Sequence, residues 1–154
     1  MTVWRPPQEI RVKVLGLVWR KEQLLLFEVE DDQGRVKGVR ALGGSIEFGE
    51  TREQALRREF QEELGCSITV LGPWHAFENL FEHEGAVGHE YIFAADVRLS
   101  NQQLYMQEMI TYQEADLVKC RAAWFNPSAL PESVELYPDG LQPLIKARTV
   151  VPAQ

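Results

Sequence analysis

Hydrophobic and polar residues alternate near the start of the chain in the pattern of a β-strand. Residues 10–14 alternate apolar and polar side chains, and residues 15–19 continue as an almost unbroken apolar run. Alternation is typical of a strand with one solvent face, and a short apolar run is typical of a strand buried on both faces. A second apolar run, residues 24–29, follows the polar pair Lys21-Glu22. The pattern therefore predicts a hairpin of two strands.

Residues 51–64 have the periodicity of an amphipathic helix. Their apolar positions form one stripe, which consists of Ala55, Leu56, Phe60 and Leu64. Thr51 and Gln54 have the spacing of a capping box, in which each side chain bonds the backbone of the other. Gly65 stands where a left-handed residue ends a helix. We expect the helix to begin and end at these residues.

The rest of the pattern predicts mostly strands. Strand-like runs lie at 39–42, 67–71, 75–81, 91–97 and 122–125. Residues 101–114 are polar and predict no clear element, whereas 137–147 predict a second helix with Pro138 in its first turn. The mixed order of strands and helices predicts an α/β/α or α+β sandwich. Its core is expected to include the aromatic residues Trp19, Phe27, Trp74, Phe77, Phe81 and Tyr91.

Composition predicts one globular domain. The chain has 154 residues, 45% hydrophobic and 25% charged, close to the average of soluble domains. We expect one domain over residues 1–154, with loose ends at about 1–8 and 148–154. The two cysteines, Cys66 and Cys120, have no CxxC spacing, which argues against a disulfide framework or a zinc ribbon. Since neither a secretory signal nor an apolar membrane span is recognisable, we expect a cytoplasmic protein.

The net charge of −7 restricts the partners of the protein. A chain of this charge repels nucleic-acid backbones and acidic membrane surfaces, so neither is an expected partner. A polyanionic substrate would need a metal ion to bridge it to the protein.

Three glutamates of the predicted helix are candidates for chemistry. Glu59, Glu62 and Glu63 are three and four residues apart, so their side chains share one face. Each pair of like charges at this spacing costs roughly a few tenths of a kcal/mol. The cluster is therefore either a solvated acidic face or one side of a cation site.

The residues around these glutamates resemble the signature of the Nudix hydrolases. Gly44 is followed after five residues by Glu50, and after seven more by the run Arg58-Glu59-Phe60-Gln61-Glu62-Glu63-Leu64-Gly65. All seven fixed identities are present, which occurs by chance on the order of once in a billion windows. Cys66 occupies the last, apolar position, and Leu42-Gly43-Gly44 stands where many members have Pro-Gly-Gly. We call residues 44–66 the box.

The resemblance implies a Nudix fold, in which a mixed β-sheet lies between helices. It also implies a metal-dependent hydrolase that cleaves a diphosphate bond by attack of water at phosphorus. The cofactor would be Mg²⁺, with Mn²⁺ as a substitute, held by Glu59, Glu62, Glu63 and a backbone carbonyl of Gly43 or Gly44. Arg58 would orient these carboxylates, with Glu50 as its partner. The implied catalytic residues are Glu50, Arg58, Glu59, Glu62 and Glu63.

The resemblance leaves the general base open, because members of the family place it on the box helix or on a later loop. Glu62 or Glu63 would serve on the helix, and the loop candidates are Glu108, Glu114 and Asp116. Substrate contacts are expected from His89, Glu90 and Glu114. Residues 83–90 are a candidate loop over the substrate pocket.

The expected substrate is a small phosphorylated molecule. Sequence features of the family's NADH diphosphatases, ADP-ribose hydrolases and dinucleoside polyphosphate hydrolases are absent. Nucleoside di- or triphosphates are the first expectation, followed by nucleotide sugars and other nucleoside diphosphate derivatives. The resemblance also suggests a homodimer. The alternative is a catalytically silent Nudix-fold module that binds a nucleotide or regulates a partner, although such modules are expected to lose box residues.

Overall fold

The computed structural model describes residues 3–113 and 119–148. Within them the chain forms nine β-strands, two α-helices and one 3₁₀ turn. In chain order these are β1 (Ile10–Arg20), β2 (Gln23–Glu30), β3 (Val36–Arg40), β4 (Leu42–Ser45), α1 (Arg52–Leu64), β5 (Ile68–His83), β6 (Ala86–Leu99), the 3₁₀ turn (Gln102–Met106), β7 (Met109–Gln113), β8 (Lys119–Phe125), β9 (Glu135–Tyr137) and α2 (Leu141–Ala147). Neither helix is long and apolar enough to cross a membrane.

Strand β1 connects two groups of strands. It pairs in parallel with β6 and antiparallel with β4, and β6 pairs antiparallel with β5. Its last residues, Trp19 and Arg20, pair antiparallel with Leu24 and Gln23 of β2. From β2 the second group continues on one side to β3 and β9, and on the other side to β8 and β7. The predicted hairpin of β1 and β2 is therefore confirmed, and the sheet is mixed, as the resemblance implies.

The core consists of two apolar clusters on opposite faces of β1. Val14 belongs to the first cluster, together with Phe60 of α1. Leu15, the next residue, belongs to the second cluster, together with Leu141 of α2. Because neighbouring residues of a strand point to opposite faces, α1 and α2 cover opposite sides of the sheet. The expected α/β/α sandwich is confirmed.

Helix α1 begins and ends where the sequence predicts. Oγ1 of Thr51 accepts the backbone N–H of Gln54 at 3.1 Å, and Oε1 of Gln54 accepts the N–H of Thr51 at 2.9 Å. Gly65 has a φ of 65°, the left-handed conformation that glycine adopts at little cost, and it ends the helix. Local hydrogen bonds thus fix both ends of the helix that carries the box glutamates.

Several strands differ from the sequence-based expectation. The runs predicted at 67–71 and 75–81 form one strand, β5, whose pairing with β6 is interrupted between Leu71 and His75. A bulge accommodates the intervening residues without ending the strand. In the polar stretch with no predicted element, the 3₁₀ turn and β7 form.

Helix α2 begins at Leu141, later than predicted. Residues 135–137 form β9 beside β3, so Pro138 lies in the connecting turn and not in the helix. The proline in the first turn of α2 is Pro143. Its missing N–H is tolerated there because the first four N–H groups of a helix have no partner within the helix.

The aromatic residues expected in the core differ in how far they are buried. Phe27 is fully buried, and three others, Trp19, Trp74 and Phe77, pack against the two clusters. Phe81 lines the cavity described below. Tyr91 is 42% exposed, so its assignment to the core is wrong. It follows a buried residue of β6 and points to the other face.

Candidate active site

A cavity of about 1170 Å³ opens between the two groups of strands. One wall comes from β1, β5 and β6, and the other comes from β2, β3 and β9. The box contributes Gly44, Glu59, Glu62 and Glu63, and Gly43 lies beside them. Sites for small molecules typically enclose about 300–1,000 Å³. The cavity is therefore large enough for a nucleotide.

The carboxylate of Glu59 occupies the space beside Gly44. A Cβ atom at position 44 would collide with this carboxylate. Gly43 is restricted in a different way, because its Cβ would collide with the backbone oxygen of Val14 across the pairing of β4 with β1. Two glycines thus let β4 pass close to β1 on one side and to α1 on the other. As a result, the backbone of Gly44 and the Glu59 carboxylate lie together in the cavity wall.

Arg58 connects the loop of the box to its helix. Its guanidinium donates two hydrogen bonds to Glu50, from Nε to Oε2 at 2.7 Å and from Nη2 to Oε1 at 2.9 Å. Nη1 donates to Oε1 of Glu59 at 3.0 Å and lies 3.5 Å from Oε2 of Glu62. Nη2 also donates to the carbonyl of Ser45 at 3.0 Å. The expected pairing of Arg58 with Glu50 is present, and the same side chain orients two of the three cavity glutamates.

The surroundings shift the pKa values of two box carboxylates in opposite directions. Hydrogen bonds from Arg58 lower the pKa of Glu50 from 4.5 to about 2. Burial raises the pKa of Glu59, although the nearby Arg58 opposes this effect. Glu50 is therefore a permanent counter-ion of Arg58. Glu59 is a partly buried carboxylate, and a cation in the cavity would favour its charged form.

The three glutamates line the cavity without forming a finished metal centre. The side chain of Glu62 is 57% exposed and that of Glu59 only 13%. Within residues 3–113 and 119–148, no three acidic, histidine or cysteine side chains converge closely enough to hold a metal ion.

The donors nevertheless fit a hard divalent cation. Carboxylate oxygens and backbone carbonyls are the ligands that Mg²⁺ and Mn²⁺ prefer. Gly44 leaves room for the Glu59 carboxylate, and its own backbone lies beside that carboxylate in the cavity wall. Such an ion would be held by the carboxylates of Glu59, Glu62 and Glu63.

Another charged group lies on β1, β5 and β6. Glu90 is 7% exposed. Its Oε2 accepts a hydrogen bond from Nη2 of Arg11 at 2.7 Å, and its Oε1 accepts one from Nδ2 of Asn79 at 3.2 Å. Glu90 is the direct cross-strand partner of both residues. Nζ of Lys13, two residues farther along β1, lies 4.0 Å from Oε2 of Glu90.

Of this group, the sequence singles out only Glu90. Arg11 and Glu90 are 79 positions apart and meet because β1 and β6 are parallel neighbours. No motif marks Arg11, Lys13 or Asn79. The one available signal is the alternation in residues 10–14, which places Arg11 and Lys13 on the same face of a strand.

The two substrate candidates in β6 are separated by the strand geometry. Glu90 faces the cavity, whereas His89 points to the opposite face and does not line it. The His89 ring instead stacks on Tyr91, with 5.7 Å between the ring centroids. The expected loop at 83–90 is wrong, because only residues 84 and 85 form a turn and residues 86–90 belong to β6; His83, the last residue of β5, lines the cavity.

The candidates for a general base are also dispersed. Glu62 and Glu63 line the cavity. Glu108 lies outside the cavity wall, is 86% exposed and pairs with Arg20 at 3.4 Å. Glu114 and Asp116 lie outside the described residues.

Comparison with known proteins gives a family and a set of relatives. The NUDIX domain family model matches residues 9–145. The nucleoside triphosphatase NudI of Klebsiella pneumoniae is 42% identical over 66 residues, which are 42% of this chain and 47% of the relative. The chain thus spans about half the length of the curated relatives it matches.

Solved structures show the same fold. The solution structure of the Escherichia coli ORF135 protein is similar with a TM-score of 0.54 and 24% identity, covering 90% of this chain and 88% of that one. A NUDIX hydrolase from Nitrosomonas europaea is similar with a TM-score of 0.50 and 24% identity, covering 76% and 72% of the two chains. These likenesses confirm the architecture of the sheet and its two helices.

Proposed function

This chain belongs to the NUDIX family, and on that premise we propose that it is a metal-dependent pyrophosphohydrolase of nucleoside phosphates. One observation carries the proposal: Glu59, Glu62, Glu63 and Gly44 line a single cavity of nucleotide size. The acidic face of α1 thus borders the space in which a cation and a diphosphate would bind together. The reaction is the hydrolysis of a diphosphate bond by water.

The box supplies the cation site in this proposal. Glu59, Glu62 and Glu63 hold Mg²⁺, and a backbone carbonyl of Gly43 or Gly44 adds an oxygen. When bound, the ion supplies the positive charge that neutralises the diphosphate and activates water. Mg²⁺ is the metal proposed first, and Mn²⁺ is its proposed substitute.

Arg58 and Glu50 position the carboxylates in this proposal. Arg58 donates five hydrogen bonds, two to Glu50 and one each to Ser45, Glu59 and Glu62, which tie α1 to the preceding loop and to β4. The pair fixes one orientation of Glu59 before any ion arrives. Glu62 or Glu63 is the proposed proton acceptor, since both line the cavity.

Nucleoside triphosphates are the first substrate class to test. The curated relative with 42% identity is named a nucleoside triphosphatase, and the volume of the cavity fits a molecule of that size. Nucleotide sugars and other nucleoside diphosphate derivatives come next. The cytoplasmic location, the homodimer and the single domain remain predictions.

The proposal is tested by phosphate and pyrophosphate release across a panel of nucleoside di- and triphosphates, nucleotide sugars and dinucleotides, with Mg²⁺ and with Mn²⁺. Wild-type protein is compared with Glu62→Gln and with Glu53→Gln. Glu53 is a matched control on the same helix, because it is exposed, pairs with Arg57 and does not line the cavity.

Wild-type protein and Glu53→Gln are expected to turn over at least one compound, and Glu62→Gln is expected to lose on the order of a hundredfold or more in kcat. Equal activity of Glu62→Gln and the wild type would remove Glu62 from the metal site. A folded wild-type protein that releases no product from any compound would favour the nucleotide-binding module.

A further inference from the structure

The side chain of Lys13 lines the cavity beside Glu90. Its side chain lines the cavity together with Glu59, and its neighbours across the strands are Ser45 and Ile92. Burial lowers the pKa of Lys13, and the charge of Glu90 opposes this effect more strongly than that of Glu59, the other cavity carboxylate near it. Nζ of Lys13 is 4.0 Å from Oε2 of Glu90. Lys13 is therefore the cation of the β1 wall that lies beside the proposed metal site.

The ion pair of Lys13 with Glu90 is long and contains no hydrogen bond. Both oxygens of this carboxylate already accept hydrogen bonds, from Arg11 at 2.7 Å and from Asn79 at 3.2 Å. A separation of 4.0 Å is beyond hydrogen-bond distance. Within the described part of the chain, Lys13 donates no hydrogen bond. Arg11 and Lys13 thus place two positive charges beside the single carboxylate of Glu90, and this surplus of positive charge faces the cavity.

This placement is costly unless a ligand compensates for it. The Lys13 side chain is only 23% exposed, and burial lowers its pKa. An ammonium that is largely removed from water loses hydration, and it regains free energy only from close acceptors. A ligand with anionic oxygens in the cavity would provide them.

We propose that Lys13 is a phosphate-binding residue, whose ammonium takes an oxygen of the substrate's phosphate chain next to the group held at the box. The inference rests on the proposed function and extends it to a subsite that no box residue forms. A lysine ammonium is a compact point charge that binds phosphate oxygens from several directions. Behind the ammonium, Glu90 accepts hydrogen bonds from Arg11 and Asn79. Since these bonds occupy both oxygens of Glu90, the donors of Lys13 are left for a ligand.

The test measures binding and does not depend on turnover. The probe is imidodiphosphate, a pyrophosphate analogue with a nitrogen bridge that resists hydrolysis, titrated calorimetrically in the presence of Mg²⁺. Lys13→Met keeps the length of the side chain and removes the charge, and Lys13→Arg keeps the charge. Lys21→Met is the matched control, since Lys21 lies in the exposed β1–β2 turn outside the cavity and its loss changes the net charge equally.

Lys13→Met is expected to raise the Kd of imidodiphosphate roughly ten- to hundredfold, the usual effect of losing one charged hydrogen bond. Lys13→Arg and Lys21→Met are expected to stay within about threefold of the wild type. Mg²⁺ alone should bind Lys13→Met no more weakly than it binds the wild type. Thermal unfolding of each variant shows whether it is folded, and Lys13→Gln, which also removes the charge and carries the same expected loss, replaces Lys13→Met if that variant does not fold.

Three results would overturn the subsite: no binding of the analogue by wild-type protein, equal binding by Lys13→Met, or an equal loss in Lys21→Met. Tighter Mg²⁺ binding with unchanged analogue binding in Lys13→Met would show that Lys13 serves only as a counter-ion of Glu59. If the predicted loss of binding is found but no nucleotide is hydrolysed, the subsite stands and the proposed hydrolase function fails. If nucleotides are hydrolysed and Lys13→Met binds the analogue normally, the proposed hydrolase function stands and the subsite fails.

Discussion

Gly43, just before the box, and Gly44, its first residue, are expected to affect different properties of the protein when a side chain is added. A side chain at position 43 would meet the backbone oxygen of Val14, which belongs to a neighbouring strand and cannot rotate away. A side chain at position 44 would meet the end of the flexible Glu59 side chain, which can move. The first change therefore acts on the fold, and the second acts on the orientation of a proposed metal ligand.

Alanine at each position should give a distinct result. Gly43→Ala is expected to lower the stability by about 1–3 kcal/mol, because β1 and β4 must separate. Gly44→Ala is expected to cost less stability but more than tenfold in turnover, because Glu59 is displaced. Thermal unfolding and steady-state kinetics of both variants check this. Gly44→Ala with wild-type kinetics would show that the position of Glu59 beside Gly44 has no role in the reaction.

Glu50 determines part of the pH dependence of stability. Its pKa in the folded protein is about 2, below the ordinary 4.5, because Arg58 stabilises the carboxylate. The folded state thus holds fewer protons than the unfolded state between these two values. The stabilisation is complete above about pH 4.5 and is lost as the pH falls toward 2.

Glu50→Gln should consequently destabilise the protein at pH 7 and flatten its loss of stability between pH 4.5 and 2. The measurement is the unfolding midpoint of wild type and variant across this range, with Glu53→Gln as a control that leaves Arg58 paired. Parallel curves for the wild type and Glu50→Gln would contradict the assigned partnership.

At the scale of elements, α1 is predictable from the sequence because its determinants are local. The capping pair Thr51 and Gln54, the apolar stripe and Gly65 all act within one helix, and the structure contains each of them. Helix α2 is less predictable, because residues 135–137 pair with β3, and this contact depends on distant residues. Strand β5 likewise continues through a break in its pattern because β6 supplies a partner on both sides of the bulge.

Only some residues of the candidate site are predictable from the sequence. The box glutamates, Arg58 and Glu50 follow from a motif in one continuous segment. Lys13 and Asn79 belong to the cavity wall only because β1, β5 and β6 are neighbours. No local pattern in the sequence contains that information, since it depends on the order of strands in the sheet.

The capping box of α1 gives a prediction for this element. Thr51→Ala removes the hydrogen bond to the N–H of Gln54 and should cost about 1 kcal/mol. Thr51→Ser keeps the hydroxyl and should stay within about 0.5 kcal/mol of the wild type. Urea unfolding of the three proteins checks this. Equal stability of Thr51→Ala and the wild type would mean that the cap does not limit the stability of the helix.

At the scale of the whole molecule, the net charge of the chain is negative, but positive side chains line the cavity that contains the box glutamates. The chain carries a net charge of −7, yet Arg11, Lys13, Lys37 and Arg40 line one cavity together with the box glutamates. A substrate with several phosphates meets repulsion from the protein as a whole and attraction from these side chains. A divalent ion at the glutamates would reverse the repulsion where the bond is cleaved.

Binding of the ion should stabilise the entire fold. A ligand that binds only the folded state raises stability by about 2.7 kcal/mol at a concentration one hundred times its Kd. For Mn²⁺ at that excess we expect Tm to rise on the order of 5–10 °C. The rise should persist in Glu53→Gln and should be largely lost in the double variant Glu59→Gln/Glu62→Gln. An unchanged rise in the double variant would place the ion elsewhere.

The central claim is tested most directly by turnover in ¹⁸O-labelled water. The nucleoside triphosphate that the panel ranks first is incubated with wild-type protein and Mg²⁺, and the masses of both phosphorylated products are measured, with EDTA as the control. Hydrolysis at phosphorus predicts one ¹⁸O atom in one of the two products, and no product in EDTA. Products without the label, or equal release in EDTA, would contradict metal-dependent attack of water on the diphosphate.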